Sequence, residues 1–453
     1  MKFARGVTDV GTSDIALHES PGQSAEVGHS LEKASAERCS AWIARFAELT
    51  DSAVPGPGVS RLGFTALERE AHQLFAEEMR GLGLTVHSDA AGNTIAELRD
   101  TSVDPGSFRV VGTGSHLDSV PNAGRYDGIA GVVAAMEVAR LLVSSDWRPR
   151  GALRFVAFAG EEGARFGQAC TGSRLAAGLL SGADLERLHD ADGISIAQAM
   201  RELGMDPDRV GEARWDSQEW AAFVEMHIEQ GSVLKNAGID VGVVDLISGS
   251  TRLGITLHGR ASHTGGTPMH LRADALTAAA EIVLHAEMLA NDEAHRGTRI
   301  TVGKLEVHPG SITTIPGMCH LQIDIRDVDG DRQRASASAL LTEAYKIATR
   351  RHVGIEAEYI GDASPVVLPV SVKNEIITAA RALQVPYRVM PSGASHDTQM
   401  INHICPSGMI FVPSENFGVS HSPDELTYAE DIARGADLLA ASLIRLDHKT
   451  AVN

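Results

Sequence analysis

The chain has 453 residues, of which 43% are hydrophobic and 22% are charged. This composition is typical of soluble globular proteins and excludes a fibrous or wholly disordered chain, and the length predicts two or three domains with a large buried core. The formal net charge of −19 argues against binding to nucleic acid or to anionic membranes, because both need a basic surface.

The termini and the cysteines indicate a cellular compartment. The first residues lack the apolar segment of a signal peptide, and no run is long enough for a membrane-spanning helix. The cysteines stand far apart without CxxC spacing, which predicts neither a disulfide framework nor a thiolate zinc site. We therefore predict a cytoplasmic protein. Residues 1–30, rich in Gly, Ser and charge, are predicted to form a disordered tail.

Strand-like and helix-like segments alternate in the first half of the chain. "TALEREAHQLFAEEMRGLGL" and "DGIAGVVAAMEVARLL" have the apolar spacing of helices. "FRVVGTGS", "ALRFVAFAG" and "AAFVEMHIEQG" are short apolar runs typical of buried strands. This alternation predicts an α/β domain with a mostly parallel sheet.

The pattern changes near residue 247, where "RLGITLHGR" and "HLQIDIRDV" alternate apolar and polar residues as antiparallel strands do. The predicted order is strand, helix (273–290), strand (299–307), strand (319–327), helix (331–351) and strand (355–360), the split βαβ pattern of a ferredoxin-like α+β domain. An α/β pattern then resumes with a helix near 373–384, the strand "GMIFVP" and a helix over 428–446. We predict a catalytic domain over 31–246 and 358–453, interrupted by an inserted domain over 247–357.

Charged side chains follow the predicted strands where each strand ends. They are, in chain order, His116 and Asp118, Asp127 at the start of a helix, Glu161 and Glu162, and His227. Ligands of open α/β sheets bind beyond the carboxyl ends of the strands, so these side chains are expected to converge. Imidazoles with carboxylates suit a pair of divalent metal ions, and one carboxylate can bridge them.

Each of these residues also has an ordinary structural interpretation. A histidine at a strand end is usually hydrogen-bonded, an aspartate before a helix is usually an N-cap, and a Glu-Glu pair is usually on the surface. Together, however, the residues place several ionic groups directly after buried strands, where charge is costly unless it is paired or bound to metal. The metal-site interpretation is therefore favoured.

Six motifs together carry a family resemblance that extends from about residue 35 to the C-terminus. They are "GSHLDSVPNAGRYDGIAG", "FAGEEGARFG", "EMHIEQG", "ASHTGGTPMHLRADAL", "GASHDTQM" and "GVSHSPDE". The chain resembles the hydantoinase/carbamoylase branch of the M20 metallopeptidase-like amidohydrolases, which includes N-carbamoyl-L-amino acid hydrolases, allantoate amidohydrolases and β-ureidopropionases. The resemblance implies an α/β fold in which a di-metal, aminopeptidase-like catalytic domain carries an inserted ferredoxin-like α+β lid and dimerisation domain.

The resemblance also implies a metal-ligand set. His116 and His227 would hold one ion, Glu162 and His421 the other, and Asp127 would bridge them. The cofactors would be two divalent ions per subunit, Zn²⁺ or alternatively Mn²⁺ or Co²⁺. Without the family, His421 in its Gly- and Ser-rich segment would be taken for a surface-loop histidine.

Two further carboxylates receive catalytic roles by the same resemblance. Asp118 would orient the imidazole of His116. Glu161 would be the general base that takes a proton from water and returns it to the leaving nitrogen.

Substrate contacts are implied mainly in the inserted domain. His263 matches the family histidine that hydrogen-bonds the developing oxyanion, and Arg326 matches the arginine that binds the substrate carboxylate. From sequence alone, a turn histidine and an exposed strand-end arginine are equally reasonable. Gln399 matches a family position near the substrate. Thr313 stands where the family often has asparagine, which leaves the identity of the substrate open.

The predicted activity is hydrolysis of a linear C–N amide bond, converting an N-carbamoyl-L-amino acid to the L-amino acid, CO₂ and ammonia. The alternatives are an allantoate or other ureido-acid amidohydrolase, an N-acyl-amino acid hydrolase or dipeptidase, and a non-catalytic metal-dependent binding protein. Glu161 counts against the last, since a binding protein has no use for a base there. We expect a homodimer through the inserted domain, with Arg326 and His263 directed toward the partner's metals, and no nucleic-acid or membrane partner.

Overall fold

The computed structural model describes residues 31–103 and 106–450. The predicted tail over residues 1–30 lies outside the described residues. The described strands are β1 (Thr85–Ser88), β2 (Thr94–Arg99), β3 (Val110–His116), β4 (Ala152–Phe158), β5 (Trp220–Ile228), β6 (Val241–Ile247), β7 (Gly249–His258), β8 (Ser262–His263), β9 (Arg299–His308), β10 (Thr314–Ile315), β11 (Met318–Asp327), β12 (Gly354–Ala363), β13 (Val366–Val367), β14 (Tyr387–Ser392) and β15 (Ser407–Val412).

The helices confirm the long amphipathic and apolar segments predicted from the sequence. They are α1 (Ala36–Glu48), α2 (Ala66–Gly81), α3 (Ile129–Val143), α4 (Thr171–Ala176), α5 (Gly182–Arg187), α6 (Ile196–Glu202), α7 (Val233–Ala237), α8 (Ala275–Ala290), α9 (Gly330–Arg351), α10 (Val370–Ala382), α11 (Asp397–Ile401) and α12 (Ala429–Asp447). No helix in the described part of the chain is both long and apolar enough to cross a membrane.

Nine strands form one sheet in the order β1-β2-β4-β3-β5-β15-β6-β13, with β14 paired to β6. Strands β4, β3, β5 and β15 are parallel to their neighbours in this series, which confirms the predicted parallel centre. The pairs β1–β2, β2–β4, β15–β6 and β6–β13 are antiparallel, whereas β14 is parallel to β6, so the sheet is mixed rather than mostly parallel. The short turn between β1 and β2 explains one edge, because two strands joined directly by a tight turn pair antiparallel.

Helices cover both faces of this sheet. The larger core lies between the sheet and helices α1, α3, α10 and α12, and it includes apolar residues from almost every turn of α3. A helix that is apolar on all sides is buried on all sides, which explains why α3 lies between the sheet and other helices. Because the central strands are parallel, their carboxyl ends meet at one edge of the sheet.

The second large sheet has four antiparallel strands in the order β12-β7-β11-β9. Alternate residues of β7 and β11 form one core with α8 and α9. The predicted order of two helices and four strands is therefore confirmed, and β12 continues to Ala363, beyond the predicted end at 360. A separate ribbon pairs β8 with β10. The predicted domain boundaries remain predictions.

Candidate metal centre

The candidate ligands lie at the carboxyl ends of the central parallel strands. His116 is the last residue of β3, His227 lies near the end of β5, and Asp127 lies two residues before the first residue of α3. Gly128, between Asp127 and the helix, has a φ of 66°. A Cβ at this position would overlap the His116 ring, so glycine allows the close approach of backbone and imidazole.

His116, Asp127 and His227 are all buried and form the first of three groups that could hold a cation. The Asp127 Oδ1 atom lies 3.5 Å from His116 Nε2 and 3.1 Å from His227 Nε2. The opposite nitrogens face backbone carbonyls, with His116 Nδ1 at 3.2 Å from Asp118 O and His227 Nδ1 at 2.9 Å from Ile228 O. A proton on each Nδ1 leaves both Nε2 atoms as acceptors beside Asp127, as in metal-binding histidines, and His227 Nε2 accepts the Gly128 N–H at 3.3 Å.

Asp127, Glu162 and His421 form the second group. His421 Nε2 lies 3.1 Å from Glu162 Oε2 and 3.6 Å from Asp127 Oδ2. Glu162 Oε1 is buried and has no hydrogen-bond partner among the described residues. A buried carboxylate oxygen without a donor is costly, and a bound cation would satisfy it. The two oxygens of Asp127 thus face different groups, in the same partition that the family resemblance implies.

A third combination of Glu225, His227 and His396 also has ligand atoms close together. Both oxygens of Glu225 are already bonded, since one accepts from the Ser115 hydroxyl and the other from the backbone and hydroxyl of Thr398. Glu225 is therefore less suited to bind a cation than Glu162, whose Oε1 is free.

The electrostatics of the site reflect a high density of buried charge. Burial alone would lower the pKa of His116, but Glu161, Asp118 and Asp127 raise it well above the ordinary value. Burial would likewise raise the pKa of Asp127, but His227 and His116 hold it well below the ordinary value. The raised pKa of His116 favours its protonated, cationic form, and the lowered pKa of Asp127 favours its anionic form. A divalent cation could replace the protons that balance the carboxylates.

Glu161 lies beside this centre and differs from Glu162 in its contacts. Its Oε2 is 3.8 Å from His116 Nε2, and its Oε1 accepts a hydrogen bond of 3.1 Å from the Cys170 thiol. Burial is the main cause that raises the pKa of Glu161 to about 8, with a further contribution from Glu162. A carboxyl group with a pKa near neutrality is suited to exchange protons.

Asp118 fixes the turn that carries both glutamates. Its carboxylate accepts the backbone N–H groups of Glu161 at 2.8 Å and Glu162 at 3.0 Å, and its Oδ1 lies 3.4 Å from His116 Nδ1. Beneath the same turn, the fully buried Glu68 accepts the backbone N–H of Gly160 at 2.7 Å. Asp118 thus contacts both the His116 imidazole and the backbone of Glu161, the candidate base.

Several residues of the site were missed by the sequence reasoning. Gln230 Nε2 and the Ser420 hydroxyl donate to Asp127 Oδ2 at 2.6 and 2.7 Å. Glu425 Oε1 accepts the backbone N–H of Asp127 at 3.0 Å. Gln230 and Glu425 stand inside the motifs "EMHIEQG" and "GVSHSPDE", which was the available signal.

Arg326 and Gln399 lie near the centre in the same chain. Arg326 Nη1 donates to Gly393 O at 3.3 Å, and Gly393 precedes His396, whose ring contacts the His227 ring with centroids 4.6 Å apart. Gln399 is a buried residue of α11, the helix that follows His396.

His263 and Thr313 are exposed and lie together on or beside the β8–β10 ribbon. The backbone N–H groups of Gly265 and Gly266 donate to His263 Nδ1, and the backbone N–H of Thr264 donates to Thr313 O. Within the described ranges, none of these hydrogen bonds reaches the candidate ligands. The structure therefore brings seven predicted residues, the candidate ligands with Asp118 and Glu161, together in one cluster. Arg326 and Gln399 lie on segments beside this cluster, and the hydrogen bonds of His263 and Thr313 stay within their own ribbon.

Comparisons with known proteins agree with this architecture. The chain matches Peptidase family M20/M25/M40 over residues 112–445. It is 43% identical to an N-carbamoyl-L-amino acid amidohydrolase of Geobacillus stearothermophilus, over 85% of this chain and 92% of that protein. It is 35% identical to a ureidoglycolate hydrolase of Oryza sativa, over 89% of this chain and 83% of that protein. Among solved structures, AtUAH in complex with glyoxylate matches with a TM-score of 0.86 and 34% identity, over 92% and 99% of the two chains. These matches confirm the resemblance stated from the motifs.

Proposed function

The chain belongs to Peptidase family M20/M25/M40, and from this premise we propose that it is a metal-dependent amidohydrolase that converts N-carbamoyl-L-amino acids to L-amino acids, CO₂ and ammonia. The observation that carries the proposal is the pair of ligand groups that share Asp127, with Glu161 beside them. A paired metal centre with an adjacent base is suited to hydrolyse an unactivated C–N bond.

The proposed ligands are His116 and His227 for one ion, Glu162 and His421 for the other, and Asp127 for both. The donor set fits Zn²⁺, Mn²⁺ or Co²⁺, because it combines imidazole and carboxylate without thiolate. When bound, such ions polarise a carbonyl oxygen and lower the pKa of water. Gln230 and Ser420 would hold Asp127 in place through their hydrogen bonds to its Oδ2.

Glu161 is the proposed proton carrier. Its carboxylate would take a proton from the attacking water and deliver it to the amide nitrogen, so that the C–N bond breaks and the amino acid leaves as an amine. The remaining carbamic acid separates into CO₂ and ammonia. Two hydrogen bonds would keep Glu161 in position. The Cys170 thiol donates to its side chain, and its backbone N–H donates to the Asp118 carboxylate.

Arg326 is the proposed ligand of the substrate carboxylate. Its Nε donates to Asp324 at 2.7 Å and its Nη1 to Gly393 O, which fixes the guanidinium plane and leaves other N–H groups for a carboxylate. These contacts lie in the same chain as the ligands, so we assign Arg326 to the site of its own subunit. Gln399 would contact the substrate from α11.

We propose that His263 and Thr313 act in the partner subunit of a homodimer formed through the inserted domain. This accounts for two predicted substrate residues that are exposed together on one ribbon and make their hydrogen bonds locally. The free, buried state of the four cysteines also fits a cytoplasmic protein, which we propose with the domain boundaries given above.

Hydrolysis of another ureido acid is the second candidate. It is favoured by the similarity to a ureidoglycolate hydrolase. Thr313, which offers a hydroxyl where the family often has an amide, leaves the identity of the substrate open. Both candidates share the proposed centre and differ in what surrounds the leaving group.

A substrate panel distinguishes the candidates. Purified protein supplied with Zn²⁺, Mn²⁺ or Co²⁺ should release ammonia and amine from N-carbamoyl-L-amino acids faster than from allantoate, ureidoglycolate, N-acetyl-L-amino acids or dipeptides. Faster release from another of these substrate classes would show that the proposed substrate is wrong, while the proposed hydrolytic centre would stand. Absence of release from every class would refute the proposed function.

A further inference from the structure

We infer that a cavity between the two sheets receives the substrate side chain, and that Arg252 makes this cavity select acidic side chains. The inference rests on the proposed function and deepens it, since it names the substrate class as N-carbamoyl derivatives of dicarboxylic amino acids.

The cavity has a volume of about 580 Å³. It lies between elements packed against the nine-stranded sheet and the edge of the four-stranded sheet. One wall is formed by the segment from Gly167 to Arg174 and by α11, and the other by β7 and the end of β12. The volume is ample for an amino-acid side chain and falls within the range of small-molecule sites.

Two residues that line the cavity are hydrogen-bonded to residues that surround the two ends of the proposed substrate. Cys170 lines it and donates to Glu161, which would act at the carbamoyl carbon. Ser250 also lines it and donates at 2.7 Å to Asp324, the carboxylate that orients Arg326. A substrate that extends from Glu161 to Arg326 would therefore place its α-carbon, and the side chain it carries, at the opening of this cavity.

The cavity wall carries two arginines, Arg174 and Arg252, whose guanidinium groups are only partly engaged in hydrogen bonds. Arg252 donates through Nη1 to Gly167 O at 3.2 Å, and its Nε is 3.8 Å from Asp324, a distance too long for a strong hydrogen bond. Arg174 donates through Nε to Ala169 O and has no ion-pair partner in the described part of the chain. Both guanidinium groups thus retain N–H donors for an added carboxylate.

The carboxylate on the same wall is already occupied. Asp362 accepts the Thr251 hydroxyl at 2.7 Å and Arg334 Nε at 3.0 Å. Its charge is therefore compensated from outside the cavity, which leaves the arginines to determine the preference for ligand charge.

Gln399 gives an independent indication that the cavity binds a polar ligand. Its side chain lines the cavity, the residue is only 2% exposed, and its Oε1 has no hydrogen-bond partner among the described residues. An unpartnered buried amide oxygen is rare in proteins, and a ligand N–H in the cavity would satisfy it. The ureido N–H groups of a carbamoyl amino acid would supply this donor, while its side-chain carboxylate reaches the arginines.

The test compares wild-type protein with Arg252→Met in hydrolysis of N-carbamoyl-L-aspartate, N-carbamoyl-L-glutamate and N-carbamoyl-L-leucine. We expect the wild type to prefer the acidic substrates by tenfold or more in kcat/KM. Arg252→Met should lose about tenfold or more on the acidic substrates and less than about twofold on the leucine derivative, as expected for loss of a charge-assisted hydrogen bond.

Two controls separate this effect from general damage. Arg252→Lys keeps the charge and should retain most of the acidic preference. Arg350→Met removes an exposed arginine that pairs with Glu281, a residue outside the cavity lining, and should leave the preference unchanged. Equal loss on acidic and apolar substrates, or no loss on either, would overturn the inference.

Failure of the proposed function would give a different result. If the wild type hydrolyses no carbamoyl amino acid, the proposed function fails, and calorimetric binding of N-carbamoyl-L-glutamate and N-carbamoyl-L-leucine to wild type and Arg252→Met then decides the inference. Stronger binding of the glutamate derivative that is lost in the variant would support the cavity assignment, and equal binding would overturn it.

Discussion

Glu161 and Glu162 are adjacent in sequence but point to different partners. Glu161 contacts Cys170 and lies near His116, whereas Glu162 contacts His421. Burial raises the pKa of both carboxyls, and that of Glu161 reaches about 8. The pair therefore combines a proposed proton carrier with a proposed metal ligand on one turn.

Substitution of the two glutamates should have different consequences. Glu161→Gln is expected to retain its metal and to lose at least about 10²- to 10⁴-fold in kcat, because general-base catalysis supplies that factor. Glu162→Gln is expected to lose about one ion per chain, because an amide oxygen binds a cation more weakly than a carboxylate. Metal analysis and turnover of both variants check this pair. Turnover of Glu161→Gln above about a tenth of the wild-type value would show that Glu161 is not the base.

Glu68 supports a prediction about pH and stability. Burial, followed by the charge of Asp118, raises its pKa to about 7 in the folded protein from an ordinary value of 4.5. Between these values the folded state binds more protons than the unfolded state, so the free energy of unfolding should fall as the pH rises from about 4.5 to about 7.

The Glu68→Gln variant isolates this contribution. Urea unfolding of metal-free wild type and variant should show that the wild type loses up to about 3 kcal/mol more than the variant over this pH interval, since one pKa unit corresponds to about 1.4 kcal/mol. A wild type that gains stability relative to the variant as the pH rises would contradict the raised pKa.

At the scale of elements, the sequence predicted the parts whose pattern is local. Apolar runs identified the central strands, and the residues directly after them form much of the candidate centre. The alternation of apolar and polar residues identified the second sheet. The antiparallel edges were missed because strand direction depends on how the connections pack, which local patterns do not record.

The missed residues of the centre have a common physical reason. Glu425 contacts Asp127 across 298 positions, and Glu68 contacts Gly160 across 92. No local periodicity reports such contacts, because they form only when loops from different strands meet. His421 was placed by the family motif alone, since its segment has no apolar periodicity.

Close packing of two strands supports a prediction about β3. A Cβ on Gly114 would overlap the backbone carbonyl of Val156 in the neighbouring strand β4, and the backbone cannot yield as a flexible side chain can. Gly114→Ala should therefore destabilise the protein by about 2 kcal/mol or more. Thermal unfolding of the variant measures the effect.

Gly303 in β9 provides a matched control, because a Cβ there would meet no atom nearby. Gly303→Ala should change stability little, by about 0.5 kcal/mol or less. Equal destabilisation by both substitutions would contradict the steric explanation for Gly114.

At the scale of the whole molecule, the proposed dimer divides the site between two subunits. Arg326 is bonded to Gly393 of its own chain, whereas His263 lies on an exposed ribbon. The first contact favours action within one subunit, and the second leaves His263 available to a partner.

Mixing inactive variants tests this division. His263→Ala and Glu161→Gln chains should each be inactive, and co-refolding them should regenerate one competent site in each mixed dimer. Arg326→Ala mixed with Glu161→Gln should regenerate none, because Arg326 is assigned to its own subunit. Recovery with Arg326→Ala would reverse that assignment, and a fully active monomer in light scattering would refute the dimer.

The central claim is that a paired metal centre hydrolyses N-carbamoyl-L-amino acids. Its most direct test is titration of chelator-treated protein with Zn²⁺, Mn²⁺ or Co²⁺, while the released L-amino acid and ammonia and the bound metal are measured together. We predict that the metal-free protein is inactive and that activity reaches its plateau at two bound ions per chain, because two ligand groups share Asp127. Full activity without metal would contradict the claim, and a plateau at one ion per chain would contradict the paired centre.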